Sequence, residues 1–150
     1  MQCPCNSQKY YAQCCEVFHK GVQAPSAETL MRSRYSAFAL GLSSYLFATE
    51  LEKLHKDLTI EDFDVQIKDQ IWVNLEVLFA SDFEVEFQAS LLDDDHLLIH
   101  HETSLFVEED GLKYAKALTQ NNTTQKILRN DNCPCGSGKK FKKCKHDKKN

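Results

Sequence analysis

Between residues 26 and 118 the spacing of apolar positions changes once, from helical to extended. Ala27, Leu30, Met31, Tyr35, Phe38 and Leu42 fall on one stripe of a helix, and Ser26, after Pro25, supplies its N-cap. Gly41 and Ser43 interrupt it. A second helix is expected from about Ser44 to Leu54, and a short third one where Thr59 and Asp62 can cap each other. From Ile71 the period becomes two. Ile71, Val73, Leu75, Val77 and Phe79 alternate with other residues, and Phe83, Val85, Phe87, Ala89 and Leu91 alternate with Asp82, Glu84, Glu86 and Gln88. Asp93 to Asp95 reads as a turn. A third strand spans about Leu97 to Val107, Asp110-Gly111 is a hairpin signal, and a fourth strand follows from Leu112 to Leu118. Helices followed by a four-stranded meander predict an α+β fold, with the N-terminal helices packed on a curved antiparallel sheet.

Outside that region the chain repeats itself. CPCNSQKYYAQCC begins at Cys3 and CPCGSGKKFKKCKH at Cys133, and an offset of 130 pairs Cys3 with Cys133, Cys5 with Cys135, Ser7 with Ser137, Lys9 with Lys139 and Cys14 with Cys144. The predicted organisation is a metal module over 1–19, a central α+β domain over 20–120, a linker over 121–130 that contains NNTTQ, and a second metal module over 131–150. The opening MQCPC has neither a basic segment nor an apolar one behind it, and no apolar run reaches the roughly 18 residues of a membrane span. A cytoplasmic protein is therefore expected, and stable disulfides are rare there. Seven cysteines, an odd number, also fit a closed disulfide framework poorly.

Closely spaced thiols in a reducing compartment point to metal. Soft thiolates suit tetrahedral Zn²⁺, with iron as the chemical alternative, and a four-ligand set leaves no open position for catalysis. Cys3, Cys5, Cys14 and Cys15 make one such set, and Cys133, Cys135 and Cys144 make three-quarters of another. Lys145 stands where the fourth ligand is expected and cannot coordinate while protonated, so His146 is the expected substitute. Gly136 and Gly138, with Asn6 as a glycine substitute, let the backbone turn tightly around the sulfurs. Modules this small have no core of their own, so metal would have to supply their folding energy.

CPCGSGKKFKKC resembles the zinc-binding SEC-C motif at the C-terminus of the SecA translocation ATPase and on many bacterial proteins. With the N-terminal copy, PSAETLMRSRYSAF, Trp72, the ETSLF stretch from Glu102 to Phe106 and Gly111, the chain resembles the YchJ-like family along nearly its whole length. The resemblance implies SEC-C-type knuckles flanking a domain similar to nuclear transport factor 2, a cone built of helices on a curved sheet. It implies no particular reaction. It departs from the family at Lys145 and after Gly111, where Tyr114 keeps one aromatic of a usual pair and Ala117-Leu118 replaces Asp-Gly.

Such a cone can enclose a pocket, and Trp72, His100, Glu102, Phe106 and Tyr114 are its candidate lining. His100, Glu102 and Phe106 share one strand face and His101 takes the other, so His100 and Glu102 form a candidate acid and base pair. An alternating strand with its polar face in water explains the same pattern, and no catalytic residue is assigned. Arg32 and Arg34 are expected at a wet edge or paired with nearby acids.

Charge adds a second candidate surface. Residues 129–150 carry a formal +6, leaving −10 on the rest of a chain whose total is −4. Lys139, Lys140, Lys142 and Lys143 could attract an acidic protein, nucleic acid or anionic lipid. The leading expectation is a metal-stabilised adaptor whose basic tail docks on a protein partner. The likeness to the SecA tail suggests the export chaperone machinery or the ribosome. The alternative is a small-molecule binding protein or enzyme that uses the central pocket.

Overall fold

The computed structural model describes residues 1–144, so the expected ligand His146, and Lys145 before it, lie outside the described residues. Among the described residues four α-helices precede one sheet: α1 (Cys15–His19), α2 (Ala27–Leu40), α3 (Ser43–Ala48) and α4 (Ile60–Ile67). The sheet is an antiparallel meander in the order β1 (Ile71–Ala80), β2 (Glu84–Asp93), β3 (His96–Glu108), β4 (Leu112–Lys126). The expected α+β fold is the observed one.

Local chemistry accounts for the helix ends. The Ser26 hydroxyl accepts the Thr29 amide proton at 3.1 Å, and Gly41, at φ 76°, closes α2 in the left-handed conformation. At α4, Thr59 and Asp62 each accept the other's backbone N–H, at 3.2 and 2.8 Å. The helix expected over 44–54 stops at Ala48 instead. Residues 49–51 turn out to pair alongside β4: Tyr114 donates its backbone N–H to the Thr49 carbonyl at 2.8 Å, and Leu51 donates to the Tyr114 carbonyl at 3.0 Å. Only a 3-10 turn over Glu52–His55 remains of that helix's second half.

The expected linker is also corrected. Residues 121–126 are the far end of β4, with Asn121 opposite His101, Asn122 opposite His100 and Gln125 opposite Leu97. Their backbone groups are satisfied by the ladder, so the stretch needs no hydrophobic side chains to be a strand. In β1 the strict alternation breaks at a bulge between Trp72 and Asn74. As a result Ile71 and Val73 pack with Leu92 and Leu97 against the C-terminal cysteines, while Leu75 and Val77 join the main core.

That core lies between α2 and the sheet. Leu30, Leu75, Val85 and Phe106 are almost fully buried there, each worth roughly 1.5–3 kcal/mol of burial. Cys3, Cys5 and Cys15 belong to the same cluster, so the N-terminal module shares the body's core. No helix among the described residues is long and apolar enough to cross a membrane.

Candidate metal centres and cavity

The two cysteine modules fold alike, hydrogen bond by hydrogen bond. The Cys3 amide donates to the Lys9 carbonyl at 2.8 Å, and Cys133 donates to Lys139 at 2.8 Å. Asn6 donates to Cys3 at 3.3 Å, as Gly136 does to Cys133 at 3.2 Å. The Lys9 and Lys139 amides donate to the hydroxyls of Ser7 and Ser137 at 3.3 and 3.2 Å. A 3-10 turn, Tyr11–Gln13 in one and Phe141–Lys143 in the other, then brings back Cys14 or Cys144. Gly136 and Gly138 adopt φ of 82° and 84°, and Asn6 and Gln8 hold the same left-handed conformation at 65° and 73° in the N-terminal copy. The backbone template is thus kept even where glycine is not.

The sulfurs converge. Those of Cys3, Cys5, Cys14 and Cys15 lie within 4.8 Å of one another, as do those of Cys133, Cys135 and Cys144. Cys5 and Cys14 are 3.7 Å apart, Cys14 and Cys15 4.0 Å, and Cys135 and Cys144 3.5 Å. A tetrahedral ion with bonds of about 2.3 Å to sulfur requires sulfur-to-sulfur separations of about 3.8 Å, whereas a disulfide needs about 2.05 Å. The spacing of the sulfurs is compatible with a shared metal. As neutral thiols the group is poorly matched. Hydrogen bonding with Cys15 and Cys5 holds Cys3 far below the ordinary thiol range, and the same contact with Cys3 pushes Cys15 far above it. Burial raises Cys133 to about 12. A divalent cation at the centre would remove that conflict by deprotonating all of the sulfurs together.

Both modules are bound to the body. The Asn6 side-chain amide donates to Asn74 Oδ1 at 3.1 Å, Arg32 donates to the Cys5 carbonyl at 2.9 Å, and His19 bridges Tyr11 and the Ser33 carbonyl. At the other end Cys133 and Ile127 pack with Leu92.

The second site is a cavity of about 390 Å³ between α2 and the inner face of the sheet. It gathers all five expected lining residues, Trp72, His100, Glu102, Phe106 and Tyr114. The polar face of β3 is therefore turned inward, which corrects the expectation of a wetted strand: Glu102 is only 7% exposed because α2 covers this side of the sheet. Its carboxylate accepts from His100 Nε2 at 2.7 Å, from the Ser104 hydroxyl at 2.7 Å and from the Tyr114 hydroxyl at 3.1 Å. The other ring nitrogen of His100 faces Asn122 Oδ1 at 2.6 Å. Burial works to raise the Glu102 pKa, but the three donors outweigh it and lower it below the ordinary carboxylate value. The Glu102 hydrogen bond raises that of His100. A carboxylate so fully occupied and so weakly basic is a poor proton acceptor. His101 points outward to Glu86, at 2.8 Å.

Sequence reasoning expected Arg34 at a wet edge or paired with nearby acids; the pairing is present but the wet edge is not, and Glu50, Ser104 and Asn122 were missed. Arg34 is 6% exposed, donates to Glu50 at 3.0 Å, to the Leu46 carbonyl at 3.0 Å and to Thr49 at 2.7 Å, and lies over the Tyr114 ring at 5.0 Å. The available signal was its place four residues after Leu30 and four before Phe38, on the buried stripe. Asn122 was hidden because a polar strand end carries no hydrophobic alternation.

A cone closed by helices, with a cysteine knuckle at each end, defines a nuclear transport factor 2-like domain combined with SEC-C-type modules. The chain belongs to the YchJ family: the model of its middle domain, "YchJ, middle NTF2-like domain", matches residues 26–117, and that of the SEC-C motif matches residues 129–144. Among its relatives, UPF0225 protein VV1358 of Vibrio vulnificus strain YJ016 is 40% identical over 95% of this chain and 96% of that protein. A SEC-C motif containing protein from Psychrobacter arcticus, known from a crystal structure, has a TM-score of 0.67 at 30% identity over 95% of this chain and 93% of its own. The solution structure of RPA3114, a SEC-C motif containing protein from Rhodopseudomonas palustris, gives 0.68 at 27% identity over 78% of this chain and 97% of its own.

Proposed function

We propose that this is a cytoplasmic protein in which two Zn²⁺ ions fasten the chain ends to a small-molecule binding domain. Zinc is preferred over iron because sulfur sets closed by the body's packing suit a redox-inert structural ion. His146 remains the proposed fourth ligand beside Cys133, Cys135 and Cys144. The observation that carries the binding role is the inward-facing His100, Glu102, Ser104 and Tyr114 network in a 390 Å³ cavity, within the size range of ligand pockets. Burying polar groups is costly unless they are hydrogen-bonded, and mutual bonds keep this set in place on the cavity wall.

The test is native mass spectrometry of protein from its own cells, combined with a fragment screen read on ¹⁵N spectra. Two zinc ions per chain, and fragments that shift Trp72 and Tyr114 but cease to bind when Ala89→Phe fills the cavity, support the proposal. Fewer than one metal per chain, or fragments that shift only surface residues, defeat the corresponding half.

Docking through the basic tail is the second reading, favoured by the exposure of Lys139, Lys140, Lys142 and Lys143 in the described residues. A protein partner, the export chaperone machinery or the ribosome by analogy, would bind them in a salt-dependent way, since screening sets in over about 8 Å at physiological ionic strength. Replacing the four lysines by glutamine should abolish that binding and leave the fragment response unchanged. Binding that survives both molar salt and the replacement would remove the adaptor reading.

A further inference from the structure

The cavity's own chemistry narrows what it can take. Its charges are already spent. Arg34 is matched by Glu50 at 3.0 Å and by two further oxygens, and Glu102 is matched by His100, Ser104 and Tyr114. An ionic ligand would therefore meet no free counter-charge and would lose its hydration without compensation. The walls are aromatic. Trp72 stands edge-to-face with Tyr35, at 5.8 Å between ring centres, and near Phe38 at 6.0 Å, which suits a flat ring system.

Among the aromatic side chains of the lining that carry a polar group, one has no partner among the described residues. Tyr35 lines the cavity and is 4% exposed, yet its hydroxyl has no hydrogen-bond partner among the described residues. The neighbouring polar groups do have partners: the Trp72 indole N–H donates to Gln70 at 3.1 Å, and Ser104 and Tyr114 both donate to Glu102. The hydroxyl is not among the sealed, unpartnered polar atoms, so it keeps access to water, and a ligand that displaces that water can accept its proton instead. Burial also raises the Tyr35 pKa, so the group stays a neutral phenol and a donor.

From these observations, and resting on the pocket reading above, we infer that the cavity binds an uncharged, flat organic molecule whose carbonyl-type oxygen accepts a hydrogen bond from Tyr35. The spent charges exclude ions, the aromatic walls select rings, and the unpartnered hydroxyl selects an acceptor.

The experiment uses the full chain loaded with zinc and four bicyclic probes: 1-tetralone, tetralin, 1-naphthoate and 1-naphthylmethylammonium. Trp72 is the single tryptophan, so its indole N–H resonance reports entry into the cavity without ambiguity. We expect 1-tetralone to bind roughly three- to ten-fold more tightly than tetralin, the worth of one hydrogen bond. Tyr35→Phe should erase that preference, leave tetralin affinity unchanged and not lower the melting temperature of the free protein, since no internal bond is lost. Equal affinity for 1-tetralone and tetralin overturns the assignment. So does a preference that survives Tyr35→Phe, tighter binding of either charged probe, or a Tyr35→Phe protein that melts earlier. In each of those cases a responding Trp72 signal leaves the pocket reading standing. If no probe moves the Trp72 resonance, the pocket reading fails and the inference falls with it.

Discussion

Glu102→Gln is the most informative single change, because it keeps the side chain's shape and removes only its charge. The carboxylate of Glu102, a residue 7% exposed, accepts three hydrogen bonds at 2.7, 2.7 and 3.1 Å from His100, Ser104 and Tyr114. Hydrogen bonds to charged groups contribute about 1.5–3 kcal/mol each, and neutral ones about 1 kcal/mol. The Ser104 and Tyr114 hydroxyls can rotate to meet an amide, so most of the loss falls on the His100 bond. A destabilisation of about 1.5–3 kcal/mol follows at pH 5.5–6. The pH dependence is specific. His100 has a raised pKa in the folded protein, so its share of stability is complete below its unfolded value of about 6.5 and disappears as pH rises through the folded value. Glu102 has a lowered pKa, so its share is complete above its unfolded value of about 4.3 and disappears as pH falls through the folded value. The stabilisation therefore peaks between the two, and Glu102→Gln should flatten this dependence. Urea unfolding followed by Trp72 fluorescence, with free zinc held constant, measures it. A variant within about 0.5 kcal/mol of the original chain at pH 5.5–6, or one with an unchanged pH profile, would refute the reasoning.

Three further outcomes are expected. Arg34→Met should cost about 3 kcal/mol by leaving the largely covered Glu50 unpaired, and Arg34→Met with Glu50→Leu should recover most of that; equal losses in the single and double variants would show that the pair is not coupled. Cys5→Ala should reduce the metal count from two to one and lower the melting temperature of the whole body, because Cys5 is fully buried in the main core, whereas Cys135→Ala should chiefly speed hydrogen exchange around Ile127. Thr59→Ala should cost about 1 kcal/mol through loss of the α4 cap, and an unaltered urea midpoint would show that the cap contributes nothing.

What the sequence determined by itself is local. The helical stripe from Ala27, the Thr59 and Asp62 cap, the hairpin at Asp110-Gly111 and the repeat of the cysteine spacing each depend on residues a few positions apart, and all are present. Trp72, His100, Glu102, Phe106 and Tyr114 were also within reach, through face alternation and family resemblance. Tertiary structure decided the rest. The second helix ends at Ala48 because residues 49–51 find partners on β4, more than sixty positions away. NNTTQ is strand and not linker because β3 lies beside it to satisfy its backbone. The polar face of β3 lies in a cavity and not in water because α2 packs over it, and Arg34 is buried because Glu50 arrives to meet its charge. The N-terminal module has no independent core because Cys3, Cys5 and Cys15 complete the core of the body. Periodicity says which side of an element is distinct; only the packing of distant elements says what that side faces.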